Sequence, residues 1–189
     1  MNADQQTSEQ FYWLVRNRQS DRAYSNRPVD REILVRVVEA ARLAPSACNA
    51  QPWKFIVVDD PELKNRLADA AASKILGINH FTKQAPVHIV IVLEGANLNS
   101  NFGSMVKGKT LPLIDIGIAA EHICLAAKSE GLGSCILGWF DEKAVKQLLD
   151  IPKSKRVPLI ITLGYPKTED IREKRRKPLE KIISFNGYS

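Results

Sequence analysis

The chain has few cysteines and histidines, and their arrangement argues against several common kinds of site. The three cysteines (Cys48, Cys124 and Cys135) are an odd number, lie far apart and include no CxxC pair. A disulfide framework is therefore not expected, and a reducing compartment is favoured. The three histidines form no HExxH or HxxxH pattern with one another or with the cysteines. This spacing argues against a zinc site.

The sequence also lacks a long apolar run. Its apolar stretches are interrupted well before the about 20 residues that a membrane-spanning helix requires. The polar start MNADQQTSEQ is unlike a signal peptide. We therefore expect a soluble protein of the cytoplasm with no membrane partner. Its 189 residues, of which 44% are hydrophobic and 25% charged, suit one globular domain.

The positive charge is concentrated in one segment. The chain has a formal net charge of +6, and residues 172–181 (REKRRKPLEK) contain six basic and two acidic residues, which account for four of those charges. Because the rest of the chain is close to neutral, a discrete anionic ligand is favoured over the extended phosphate backbone of a nucleic acid. The segment also has no interleaved aromatic residues, which a nucleic-acid-binding surface would be expected to have.

Hydrophobic patterning predicts strands and helices that alternate irregularly. Strands are predicted over residues 53–58, 86–93, 134–137 and 157–164, the second of them buried on both faces. Helices are predicted over residues 8–17, from Asp30 to Pro45, from Pro61 to about Ser73, over 111–130 and after Asp141. Asp30, Asp60 and Asp141 are predicted N-caps, Gly131 a helix end, and residues 95–110 a long mobile loop. The pattern indicates one sheet in an α/β or α+β domain.

Two arginines flank a serine in the short polar segment Arg18-Gln19-Ser20-Asp21-Arg22. Guanidinium groups bind phosphate through paired hydrogen bonds and keep their charge, which makes this segment a candidate anion site. By itself the RxSxR spacing also fits an ordinary surface loop.

Residues 45–52 (PSACNAQP) form a polar loop between two prolines, next to Trp53. Such a loop offers a hydroxyl and two amides with little conformational entropy left to lose, which is typical of a ligand-binding loop. Cys48 has neither a histidine nearby in sequence nor a thiol-enzyme signature around it. We therefore expect Cys48 to be a small packing residue.

Residues 131–140 (GLGSCILGWF) place glycines at both ends of a short strand. Their spacing is not GxGxxG, and they precede a strand, so they do not form a dinucleotide-binding fingerprint. Glycines at these positions allow a large flat group to approach the backbone, but a helix end and a turn also explain them.

Together these segments resemble the flavin-dependent nitroreductase family. The RxSxR segment, the APSxxNxQPW loop, the DxGxxxExxxLxAxxxGLG helix and the basic KRRKPLE tail occur in the family's order, between about residues 11 and 182. The resemblance implies a single α+β domain with a central, mainly antiparallel sheet flanked by helices. It also implies an intertwined homodimer with one FMN in each of two interface sites, and a C-terminal tail (about residues 166–189) that docks on the partner subunit.

The resemblance further implies which residues contact the flavin. At the phosphate and ribityl chain they are Arg18, Gln19, Ser20, Lys174 and Arg176. Along the ring and its pyrimidine edge they are Arg22, Asn79, Leu137, Gly138 and Trp139. From the other subunit they are Pro45, Ser46, Ala47 and Asn49.

The implied activity is a ping-pong oxidoreduction. NADH or NADPH delivers a hydride to flavin N5 and leaves, and a nitroaromatic, quinone or similar electron-poor molecule then takes the electrons. The flavin carries the chemistry, so no catalytic acid or nucleophile is required. Where many members have an acidic residue before a glycine, this chain has Gly138 and Trp139, which leaves the acceptor open. Alternatives are a dehalogenase or enone reductase of the same fold, a flavin-storing protein, or a basic-tailed nucleic-acid-binding protein.

Overall fold

The computed structural model describes residues 3–72, 77–95 and 110–188. Within them, four antiparallel strands form one sheet in the order β1-β2-β4-β3. The strands are β1 (Trp53–Val58), β2 (Val87–Leu93), β3 (Gly133–Leu137) and β4 (Arg156–Gly164). Each agrees with its predicted range to within one residue, because apolar, largely β-branched runs there are bounded by polar or turn-forming residues.

Five α-helices flank this sheet in the described part of the chain. They are α1 (Ala3–Asn17), α2 (Arg31–Arg42), α3 (Pro61–Ala71), α4 (Leu111–Ser129) and α5 (Glu142–Leu148). Asp60 and Asp141 are N-caps, as predicted, and their carboxylates accept hydrogen bonds from the backbone N–H groups of Leu63 and Ala144. Gly131 follows α4 with a φ of +75°, which confirms its predicted role in ending that helix.

Some helix ends differ from the prediction. α1 begins at Ala3 rather than at residue 8, because the polar residues before the apolar stretch continue the helix. α2 ends at Arg42 and not at Pro45, since a proline also disfavours helical geometry in the residue before it. Asp30 occupies the N-cap position of α2, but its side chain makes no capping hydrogen bond. α3 ends at Ala71. Ser73 and residues 96–109 of the predicted loop lie outside the described residues.

The sheet separates two hydrophobic cores. Val87, Ile89 and Ile91 of β2 pack into a core with α2 and α4, and Val90 and Val92 pack into the other core with α3 and α5. Successive residues of a strand point to opposite faces, so an uninterrupted apolar strand such as β2 fills both cores. The resulting three layers around an antiparallel sheet confirm the predicted α+β class.

The two edges of the sheet have different surroundings. Within the described residues β1 pairs only with β2, so its outer edge is open. At the opposite edge, Ser20 forms a parallel bridge with Ser134 of β3. The chain after β4 then runs back to the segment around Ser20, which places the basic tail beside β3.

Candidate functional site

The RxSxR segment lies along the edge of β3. The backbone N–H of Asp21 donates to the carbonyl oxygen of Ser134 at 2.8 Å. Gly133 permits this approach, because a Cβ atom added there would lie 2.6 Å from an Asp21 carboxylate oxygen. The GLG sequence therefore ends α4 at Gly131 and leaves room for the RxSxR segment at Gly133.

The first part of the C-terminal tail docks on this segment of its own chain. The backbone N–H of Arg172 donates to Gln19 Oε1 at 3.0 Å. The Arg172 guanidinium donates to the Ser20 carbonyl, and the Lys174 ammonium donates to the Arg18 carbonyl. The resemblance implies that the tail docks on the partner subunit, and residues 170–174 contact their own chain. The later tail residues Leu179, Ile182 and Phe185 are exposed.

A cationic cavity of about 340 Å³ lies between the RxSxR segment and the tail. Its lining residues are Arg18, Gln19, Ser20, Arg22, Arg172, Glu173, Lys174, Arg175 and Arg176. Six of these side chains are cationic and one is a carboxylate. Burial, followed by repulsion from Arg18, lowers the pKa of Lys174. An anion with several acceptor oxygens is the ligand that such a donor set favours.

Arg18 is held in place by α4. Its guanidinium donates three hydrogen bonds to the Glu121 carboxylate, from Nη2 at 2.8 Å to Oε1 and 2.9 Å to Oε2, and from Nε at 3.2 Å to Oε1. The Arg18 side chain keeps 29% of its surface exposed, so the pair faces the cavity and is not sealed in the core. The sequence marks Glu121 only as one letter of a helix motif, and nothing in its spacing relative to Arg18 indicates this contact.

Four of the residues predicted at the flavin ring lie near the other end of β3, namely Asn79, Leu137, Gly138 and Trp139, whereas Arg22 lines the cationic cavity. Gly138 is four residues beyond Ser134, a distance of about 13 Å along an extended strand. The side-chain amide of Asn79 donates to the carbonyl oxygens of Trp139 at 2.8 Å and Ala71 at 3.0 Å. The structure therefore brings Asn79 and Trp139 together, and their contact with a flavin stays a prediction. The Trp139 side chain is 65% exposed.

The proline-bounded loop has an unusual backbone. Cys48, Asn49 and Gln51 have φ values of 52°, 51° and 46°, a left-handed conformation that residues other than glycine adopt at a cost. The backbone N–H of Gln51 donates to the Ser46 hydroxyl at 2.9 Å. The backbone N–H of Ala47 donates to Asp115 Oδ1 at 3.1 Å. Cys48 is exposed, so its predicted role as a packing residue is wrong.

Asp115 anchors this loop to α4. Its side chain is buried, and Oδ2 has no hydrogen-bond partner among the described residues. Asp115 and Glu121 are six residues apart on α4, which places them about 9 Å apart along the axis and about 120° apart around it. Pro45, Ser46, Ala47 and Asn49 do not line the cavity found among the described residues.

The two buried cysteines are not candidate nucleophiles, and the described residues contain no metal centre. Burial raises the pKa of the Cys124 thiol to about 11 and also raises that of Cys135, which keeps both thiols protonated and unreactive. In residues 3–72, 77–95 and 110–188 no three His, Cys, Asp or Glu side chains converge to hold a metal ion. No helix in the same ranges combines the length and apolar composition needed to cross a bilayer.

Comparison with known proteins supports the resemblance. The sequence profile of the Nitroreductase family matches residues 15–165. A protein of Archaeoglobus fulgidus named as an NADH dehydrogenase/NAD(P)H nitroreductase is 33% identical over 165 residues, 85% of this chain and 88% of that protein. An FMN-dependent nitroreductase structure from Clostridium difficile R20291 has a TM-score of 0.74 at 30% identity, covering 93% of this chain and 98% of its own. A family structure from Streptococcus pneumoniae TIGR4 reaches 0.79 at 27% identity, covering 93% and 100%.

Proposed function

Since this chain belongs to the Nitroreductase family, we propose that it passes electrons from NADH or NADPH to nitroaromatic compounds, quinones or similar electron-poor acceptors by a ping-pong mechanism. The broader class follows from the family and its named members: the chain is an oxidoreductase that uses FMN and NAD(P)H. The identity of the electron acceptor and the ping-pong mechanism need experiment.

The cationic cavity beside Ser20 is the observation that carries this proposal. Arg18, Lys174 and Arg176 line it together with Ser20. Guanidinium and ammonium donors match the oxygens of a phosphate monoester, which is the anionic group of FMN. The residues present therefore fit the cofactor that the family implies.

When bound, FMN supplies the redox chemistry, and the chain supplies binding and electrostatics. Arg18 and the tail would hold the phosphate. Arg22, an exposed cation on the same cavity, would balance negative charge that develops near the ring during reduction. The Asn79–Trp139 hydrogen bond would fix the backbone that borders the ring.

A homodimer is part of the proposal. The loop at residues 45–52 contacts a different side of α4 from the Arg18 segment and does not line the cavity. A second subunit would bring the loop of one chain to the cavity of the other. Phe11, Tyr12 and Trp13 on α1 are each more than half exposed, which is unusual for three successive aromatic residues unless a partner covers them.

The exposed end of the tail has a matching surface. An apolar groove of about 720 Å³ runs between α2 and the open edge of β1, lined by Leu34, Val35, Trp53 and Phe55 among others. Ile182, Ile183 and Phe185 are exposed at the end of the tail. We assign this groove to residues 179–188 of the partner subunit, whose apolar side chains and backbone would cover the groove and the strand edge.

Anaerobic spectroscopy tests the function in two half-reactions. The purified protein is expected to be yellow, with a flavin spectrum that bleaches on addition of NADH or NADPH. After the nicotinamide is removed by desalting, a quinone or a nitroaromatic compound should restore the oxidised spectrum, as a ping-pong cycle requires. A colourless protein that takes up no FMN would overturn the proposal.

The same measurement separates the alternatives. A dehalogenase or enone reductase would bleach with NAD(P)H and be reoxidised by a halogenated or enone acceptor instead. A flavin-storing protein would bind FMN without turnover. A nucleic-acid-binding protein would be colourless and would bind DNA or RNA with a strong salt dependence.

A further inference from the structure

Gln19 uses its whole side-chain amide to hold the tail. Its Nε2 donates to the Asp170 carbonyl at 2.9 Å and to Asp21 Oδ1 at 3.0 Å. Its Oε1 accepts from the backbone N–H of Arg172 at 3.0 Å and from Arg172 Nε at 3.3 Å. A carboxamide has two N–H donors and two acceptor lone pairs. All four are therefore engaged, and none is left for a phosphate oxygen.

Asp21, which accepts a hydrogen bond from the Gln19 amide, is fixed to the sheet. Asp21 receives the Gln19 amide and is itself bonded through its backbone N–H to Ser134 of β3. The hydroxyl of the buried Tyr24 donates to the Asp21 carbonyl at 2.8 Å. Gln19 thus joins a rigid part of the fold to the tail, which contributes no strand or α-helix of its own in the described residues.

We propose that Gln19 is a positioning residue that sets the register of the basic tail over the anion cavity, and that it does not itself bind the anion. Arg172 and Lys174 are two residues apart, and both turn toward residues 18–20. Alternate residues of an extended segment point the same way. A slip of one residue would therefore replace this pair with Glu173 and Arg175 and put a carboxylate where the structure has a cation. The identity of the anion as the FMN phosphate rests on the proposed function, whereas the tail contacts do not.

Limited proteolysis tests the register directly and needs no flavin. Gln19→Met keeps the length of the side chain and removes all four hydrogen bonds. Trypsin cleavage after Arg172, Lys174, Arg175 and Arg176, followed by intact-mass spectrometry, should be about tenfold faster in this variant than in the wild type. Gln147→Met, the same substitution at an exposed position of α5, should leave the rate unchanged. Equal cleavage rates for Gln19→Met and the wild type would overturn the proposal.

Flavin titration then distinguishes positioning from direct contact. Gln19→Met should raise the FMN dissociation constant about tenfold. On an Arg172→Ala background, Gln19→Met should have a smaller effect on this constant than it has in the wild type, because the tail has already lost the guanidinium contacts of Arg172 with Gln19 and Ser20. If the effects of the two substitutions on the FMN dissociation constant multiply and the tail cleavage rate is unchanged, Gln19 contacts the anion directly. That result would contradict the proposal. If the wild type binds no FMN, the proposed function fails, and the proteolysis result still decides the role of Gln19.

Discussion

Arg18 is the cation of the cavity with the best-defined geometry, since the Glu121 carboxylate orients its guanidinium. Arg18→Ala removes a charge-assisted contact worth about 1.5–3 kcal/mol. The FMN dissociation constant should therefore rise about 10- to 100-fold, as measured by fluorescence titration of the flavin. Arg36→Ala is the matched control, because the Arg36 guanidinium likewise pairs with a carboxylate, that of Glu130, and lies outside the cavity lining. Equal flavin affinity of Arg18→Ala and wild type would show that the phosphate lies elsewhere.

His88 gives the fold a predictable sensitivity to acid. It is fully buried on β2. The Thr82 backbone lies near its ring, but neither ring nitrogen completes a hydrogen bond within the described residues. Burial, followed by repulsion from Lys64 of α3, lowers the pKa of His88 from 6.5 to about 4. Below pH 6.5 the unfolded chain binds a proton that the folded chain does not, so stability must fall between pH 6.5 and pH 4.

The size of this effect can be measured by urea unfolding at one protein concentration. The free energy of unfolding should drop by about 2 kcal/mol between pH 7 and pH 5 through His88 alone. His88→Leu should remove that part of the slope. His122→Gln, at a half-buried histidine of α4, should retain it. A His88→Leu variant with the pH slope of the wild type would contradict this account.

At the scale of elements, the turn from α4 into β3 contains Gly131 and Gly133, which are required for different structural reasons. Gly131 has a left-handed φ, and a Cβ atom added there would meet open space, so Gly131→Ala should cost about 1 kcal/mol of stability through backbone strain alone. Gly133→Ala would force the Asp21 backbone and side chain away from β3. It should therefore also weaken FMN binding, by about tenfold, through displacement of the RxSxR segment.

Urea unfolding and flavin titration of both variants separate these effects. The ratio of lost flavin affinity to lost stability should be large for Gly133→Ala and close to zero for Gly131→Ala. Similar flavin affinities in the two variants would mean that the RxSxR segment does not depend on its contact with β3.

At the scale of the whole molecule, the first part of the tail contacts its own chain, and we propose that the second part contacts the partner subunit. Residues 170–174 dock on their own chain, and Leu179 to Tyr188 present exposed apolar side chains. A chain ending at Pro178 keeps the cationic part and loses the part assigned to the partner's groove. Size-exclusion chromatography with light scattering should show a shift from dimer toward monomer, accompanied by loss of flavin.

A chain ending at Gly187 is the control for this truncation, because it retains Ile182, Ile183 and Phe185. It should remain a dimer with bound flavin. If the chain ending at Pro178 kept full dimer content and flavin affinity, the groove beside β1 would have another occupant.

Much of the fold could be predicted from the sequence, because the signals are local. A run of apolar β-branched residues is long enough only for a strand, and Asp60-Pro61 begins a helix whatever surrounds it. The RxSxR segment, the proline-bounded loop and the basic tail stand out from their residue types as candidate ligand-binding segments, and the resemblance to the family implies that the ligand is a flavin. The cytoplasmic location stays a prediction.

The tertiary structure decided which of these segments meet. Arg18 and Glu121 are 103 residues apart in sequence, and Gln19 and Arg172 are 153 apart, so no local pattern could pair them. The own-chain contacts of residues 170–174 and the left-handed backbone of Cys48, Asn49 and Gln51 likewise depend on what packs against each segment. The sequence determines the chemistry of each side chain, and this chemistry sets which ligand the protein can hold. The cations form one cavity only after folding, because the sheet brings segments that are distant in sequence to the same edge.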